Sequence, residues 1–125
     1  MPGMIFHLTA GIVMALIGGF YYKSYFENND KTIELIFLVF SCLFFSILPD
    51  FVLIIYYLTH ISSFCTAIYY HDFIFLLSAP LAIIGLLILR YWIDIKRKPI
   101  FIIGLWCIIV HVIMDFFIEE SSIWF

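Results

Sequence analysis

Four apolar stretches, each close to the thickness of a bilayer and separated by short polar gaps, leave this chain few folds to choose from. Met4–Tyr22 holds 19 residues and would rise roughly 28 Å as a helix. The polar patch Lys23–Thr32 closes it. A second run, Ile33–Leu48, stays apolar until Pro49 and Asp50 interrupt it. The third covers Phe73–Trp92, with Pro80 marking where it would kink, and the tight basic turn Asp94–Lys98 leads into the fourth, Ile100–Ile118. Soluble domains are near half apolar and a quarter charged; this chain is 66% hydrophobic and 12% charged, the composition of an integral membrane protein. The expected fold is therefore all-α: a single domain over residues 1–125, built as a bundle of four transmembrane helices at about 4–22, 33–48, 73–92 and 100–118. Trp92, Trp106 and Trp124 suit helix ends at the membrane interface. The first run lacks a basic segment before it, so insertion as a polytopic protein without a separate signal peptide is expected.

Residues 51–70 admit two readings. Their 20 residues could span, giving five crossings, but they carry His60, Ser62, Ser63 and Thr66. Charge favours four crossings. Lys23, Lys31, Arg90, Lys96, Arg97 and Lys98 are all the basic residues of the chain, and with four crossings they share one face, the cytoplasmic one by the positive-inside rule. Residues 51–70 then form an interfacial or re-entrant helical segment on the outer face. The net charge of −3 and the lack of a basic stripe exclude a nucleic-acid partner. Cys42, Cys65 and Cys107 are odd in number, widely spaced and set among apolar residues, and read as small buried hydrophobes.

The same arrangement gathers histidine and aspartate at the opposite face. His7, Asp50, His71, Asp72 and Asp115 lie near the outer ends of the runs, with His111 one turn deeper. An ionisable group at the centre of a bilayer costs at least ~2.5 kcal/mol, so such groups usually mark a site. His111 and Asp115 are spaced i, i+4 and share a helix face, where both can bind an ion or the aspartate can orient the histidine. Asp72 reads as the N-terminal cap of the third helix, which leaves His71 as a free imidazole. His60 reads as a headgroup-facing residue, with a further ligand as the alternative. Gly11, Ala15 and Gly19 recur every four residues behind His7, a stripe that lets a neighbouring helix come close and turns His7 toward protein. Imidazole with carboxylate suits a divalent metal, zinc first, with iron or manganese as alternatives. The expected ligands are His7, Asp50, His71, His111 and Asp115, with Asp50 or Asp115 also available as a catalytic base.

In order along the chain, His7-Leu-Thr-Ala-Gly11, Leu48-Pro49-Asp50, a histidine opening the next helix and His111-Val-Ile-Met-Asp115 stand before a polar tail, Glu119–Phe125, that contains tryptophan. This order resembles the family of membrane-bound metal-dependent hydrolases, small polytopic proteins of bacteria and archaea. The resemblance implies a metal-dependent hydrolase of the bacterial cytoplasmic membrane, its site on the extracytoplasmic side. A site at headgroup depth favours a lipid or lipid-linked ester or phosphoester as substrate. Two departures stand out: the family's Leu-Pro-Asp-x-Asp has Val52 at its second aspartate here, and its His-Arg-x-x-Thr-His-Ser is replaced by Tyr70-His71-Asp72. Two other classes compete. A proton- or ion-translocating protein could use the same cluster. A non-catalytic subunit, packed in a homo-oligomer or against a larger membrane partner, could use it as interhelical glue.

Overall fold

The computed structural model describes residues 4–61 and 63–117; Ser62, Ile118, the tail Glu119–Phe125 and its Trp124 lie outside the described residues. The regular elements are all helical: α1 (Met4–Tyr21), α2 (Lys23–Glu27), α3 (Lys31–Ile47), a 3-10 turn (Leu48–Asp50), α4 (Phe51–Thr59), α5 (Phe64–Tyr91) and α6 (Lys98–Phe117). The all-α bundle expected from the apolar runs is what the chain forms. Among the described residues, four helical stretches are long and apolar enough to cross a membrane: Met4–Tyr21, Lys31–Thr59, Cys65–Tyr91 and Lys98–Phe117. The second of these is interrupted by the 3-10 turn.

The third long helix begins nine residues before the expected Phe73. Ser63, not Asp72, caps it: the Ser63 Oγ accepts the Thr66 backbone N–H at 3.2 Å and lies 2.8 Å from the Thr66 hydroxyl. These polar residues start a helix instead of interrupting an apolar run. Residues 51–70 thus divide into α4 and the first two turns of α5, which pack together around Leu53 and Ala67. The nine residues of α4 rise only ~13 Å, less than half a bilayer core, so α4 alone cannot make a fifth crossing. His60 ends it in the left-handed conformation (φ 50°), exposed, with its ring edge-on to Tyr56.

Pro49 explains the interruption after α3. It has no N–H to continue the ladder, and the chain tightens into the 3-10 turn before α4 resumes. Asp50 sits at the joint with φ −92° and ψ 8°, between the regular helical and extended regions.

Between membrane helices the hydrophobic effect supplies little attraction, so close packing and polar contacts hold the bundle. α6 lies at its centre against α1, α3 and α5, and α1 also packs on α3. The inward stripes follow helical spacing. They are His7, Gly11, Ala15 and Gly18 on α1; Glu34, Leu38, Cys42 and Ser46 on α3; and Ile100, Ile103, Gly104, Cys107, Ile108 and His111 on α6. Gly18 takes the place expected for Gly19, and Ile103 of α6 fills the space where its Cβ would be. Cys42 and Cys107 are buried as expected; Cys65 is exposed.

Both basic turns lie at one end of the bundle, tied together across it. Glu34, 5% exposed, accepts from the Tyr25 hydroxyl at 2.7 Å and from Arg97 Nε at 3.1 Å. Arg97 holds a left-handed backbone (φ 62°), and its guanidinium lies 4.2 Å from the Phe37 ring centre. Burial pushes the Tyr25 hydroxyl up to about 12 from an ordinary 10.0, reinforced by its hydrogen bond to Glu34 and by that residue's charge. Between these two values the folded chain keeps a proton that the unfolded chain has lost. Stability therefore declines as pH rises through that window. In Tyr25→Phe this part of the decline should vanish, which thermal unfolding in detergent across the same pH range would detect.

Candidate metal centre

α1, α5, α6 and the 3-10 turn after α3 each deliver one or two polar side chains to the other end of the bundle. His7 comes from the first turn of α1, His111 and Asp115 from one face of α6, and His71 from within α5. Asp50 continues the four-residue spacing of Leu38, Cys42 and Ser46 along α3. It stands at the N-cap of α4 but makes no capping bond there, forgoing about 1 kcal/mol of helix stabilisation. Its carboxylate turns inward. Oδ1 lies 2.7 Å from His71 Nε2 and 3.3 Å from His111 Nε2, and Oδ2 lies 3.6 Å from His7 Nε2. Asp115 closes the far side, 3.2 Å from His7 Nε2 through Oδ1 and 3.2 Å from His111 Nε2 through Oδ2. The His7 and His111 rings stack at 3.7 Å, 13° from parallel. The structure thus brings together all five residues singled out in the sequence. His60 stays apart on the exposed surface.

The hydrogen bonding inside the cluster is incomplete in an informative way. His111 Nδ1 lies 2.5 Å from the Ser46 carbonyl oxygen, which can only accept. Nδ1 therefore carries a proton and donates to that carbonyl, while Nε2 faces the carboxylate oxygens of Asp50 and Asp115, which accept. Without a proton or a metal ion at Nε2, its lone pair would oppose theirs. His71 points Nδ1 at Asp72 Oδ1, 3.3 Å away, and Nε2 at Asp50 Oδ1, 2.7 Å away; both carboxylates accept, so the ring nitrogens donate in these bonds. Asp72, read as a cap in the sequence, is instead an outer partner of His71, with its side chain 70% exposed. Ser46 was not anticipated; the four-residue stripe it shares with Cys42 and Asp50 is the signal that points to it. Both nitrogens of His7, Nε2 of His111 and both oxygens of Asp115 are buried without a hydrogen-bond partner. A buried polar atom left unpaired costs about 1–3 kcal/mol, so these five call for a shared positive charge, either protons held between imidazole and carboxylate or a bound cation.

A cation meets that requirement. Two groups of three residues offer one ligand atom each within 4.8 Å of one another: His7, Asp50 and His111, and Asp50, His71 and Asp115. Asp50 belongs to both. Imidazole Nε2 and carboxylate oxygen form a donor set suited to zinc, iron or manganese. The Ser46 carbonyl and the Asp72 carboxylate supply the outer hydrogen bonds that metal-binding histidines usually have. Buried His/Asp groups able to hold a metal ion are thus present in the membrane-spanning bundle.

No family profile matches the chain, and no curated protein or solved structure matches it either.

Proposed function

We propose that the chain is a membrane-embedded metal-dependent hydrolase that acts on a lipid or lipid-linked ester or phosphoester. The observation that carries this reading is the set of unpaired buried donor atoms on His7, His111 and Asp115 facing Asp50. His7, Asp50 and His111, one of the two groups whose ligand atoms converge, would hold the ion, zinc by preference. When bound, it would supply Lewis acidity toward a carbonyl or phosphoryl oxygen. Asp115, free of hydrogen bonds at both oxygens, is the group available to take a proton from an attacking water. Ser46 and Asp72 keep the His111 and His71 rings oriented, and the apolar walls exclude bulk water. Exposed Phe116, its ring tilted against Phe75 at 5.8 Å and through it near His71, marks the side from which a lipid could reach the cluster. The basic turns favour placing the opposite end of the bundle in the cytoplasm, which puts the His/Asp end on the outer side of a bacterial cytoplasmic membrane. The motif order shared with membrane-bound metal-dependent hydrolases supports the same activity.

The nearly complete burial of the five side chains, each no more than 4% exposed, favours a second reading. Structural metal sites are closed, whereas catalytic ones keep an open position. The cluster would then tie helices together in a non-catalytic subunit. Chelation followed by resupply of zinc, iron or manganese, assayed on ester and phosphoester lipids in mixed micelles, separates the two. Hydrolysis that disappears with the chelator, returns with metal and is absent in His7→Ala supports the enzyme. Metal that raises the unfolding temperature without hydrolysis of any lipid supports the structural centre.

A further inference from the structure

A second concavity lies toward the other end of the bundle. α1 and α5 flank α6 without forming a packed pair of their own, and a cavity of about 830 Å³ opens between them, within the size range of small-molecule sites. Its floor is α6 from Lys98 to Ile109, roughly 16 Å of helix. Gly18 and Leu87 line its sides, and Trp106 stands along its length. The wall is apolar apart from Tyr21, Tyr22, Arg90 and Lys98, which line the end nearest the basic turns.

The charges at that mouth are unmatched. Lys23 pairs with Glu27 at 3.6 Å and Arg97 with Glu34 at 3.1 Å. Among the described residues, neither Arg90 nor Lys98 has a carboxylate within 4.0 Å, and none of the residues lining the cavity is acidic. Two cations without a carboxylate partner, Arg90 lying 5.5 Å over the Tyr91 ring, at one end of an apolar trough call for an amphiphile with an anionic head and a hydrocarbon tail.

We propose that the trough between α1 and α5 holds one anionic phospholipid, its phosphate between Arg90 and Lys98 and an acyl chain along α6 past Trp106. The lipid is a resident of this face, separate from the His/Asp centre, and its binding needs no metal. Basic pockets between membrane helices recognise anionic headgroups in this way. A neutral zwitterionic lipid would fill the trough without matching both cations.

Trp106 reports directly on occupancy. In a Trp92→Phe, Trp124→Phe background, the full chain is placed in phosphatidylcholine nanodiscs with a minor fraction of acyl-brominated phosphatidylglycerol or acyl-brominated phosphatidylcholine. Two basic contacts predict roughly 30-fold enrichment of the anionic lipid at the trough over its bulk fraction. Fluorescence of Trp106 should therefore fall far more with the brominated anionic lipid. Arg90→Gln with Lys98→Gln should bring the two lipids to equal quenching, and Arg90→Lys with Lys98→Arg should keep the preference. Equal quenching in the background protein, or a preference that survives loss of both charges, overturns the proposal. The comparison of the two lipids in the background protein stands even if the charge-removing variant does not fold.

Discussion

Asp50→Asn should abolish metal binding at the His/Asp centre altogether instead of weakening it by degrees. Every other residue of the cluster belongs to one of the two candidate ligand groups, whereas Asp50 belongs to both. Its carboxylate approaches His7, His71 and His111 within 3.6 Å, so replacing it leaves each group short of a charge and a ligand. Asparagine keeps the shape but brings an amide that donates where an anion is needed. Loss of an outer partner of a metal ligand costs ~10–100-fold in affinity; loss of a shared anionic ligand should exceed the top of that range. Elemental mass spectrometry of detergent-purified protein, after equilibration with zinc, iron or manganese, measures it directly. Near-stoichiometric metal in the wild type and almost none in Asp50→Asn is the expected result, with His111→Ala behaving alike. Folded wild-type protein that takes up no metal even when resupplied would remove the metal centre and leave interhelical hydrogen bonding as the role of the cluster.

The second large effect is expected at a residue that offers no ligand atom of its own, in Gly11→Leu. A Cβ built at Gly11 overlaps the Ser46 hydroxyl and comes within 3.0 Å of the Cys42 backbone oxygen. A side chain can turn aside, but a helix backbone cannot, so α1 and α3 must separate. Overpacking of this kind costs about 1–3 kcal/mol. The strain falls on Ser46, whose carbonyl holds the His111 ring, so metal affinity should drop together with the unfolding temperature. Gly19→Ala is the matched control, because a Cβ there meets only Leu38 at an ordinary 3.8 Å. Thermal unfolding and metal content measured on both variants should separate them clearly. A Gly11→Leu protein as stable as Gly19→Ala would contradict the tight α1–α3 contact.

Much of this was legible in the sequence because a bilayer permits so little. Apolar length predicted the helical bundle, and the placement of basic residues predicted that both basic turns share an end. The five polar residues that converge were identifiable because a buried ion is costly in an apolar run. The start of α5 was not legible. Tyr69, Tyr70, His71 and Asp72 look like an interruption when read along the chain. On a helix, however, successive residues point about 100° apart, so His71 turns to the core while Asp72 faces outward. Ser46 was overlooked for a related reason. Its contribution to the cluster comes through a backbone carbonyl, and residue identity reveals backbone atoms only once helices are docked.

The inward stripe that runs along α3 into the 3-10 turn carries an anion toward each end: Glu34, bound by Tyr25 and Arg97, and Asp50, bound by His71. Sixteen residues separate them, roughly 24 Å along the axis, with Leu38 and Cys42 in the apolar interval. Greasy helices in lipid have little to stop them from sliding lengthwise past one another. Here a slip of one turn, about 5.4 Å, would unfasten both clasps at once, so the vertical alignment of the bundle is fixed by two anions at opposite ends of one helical face.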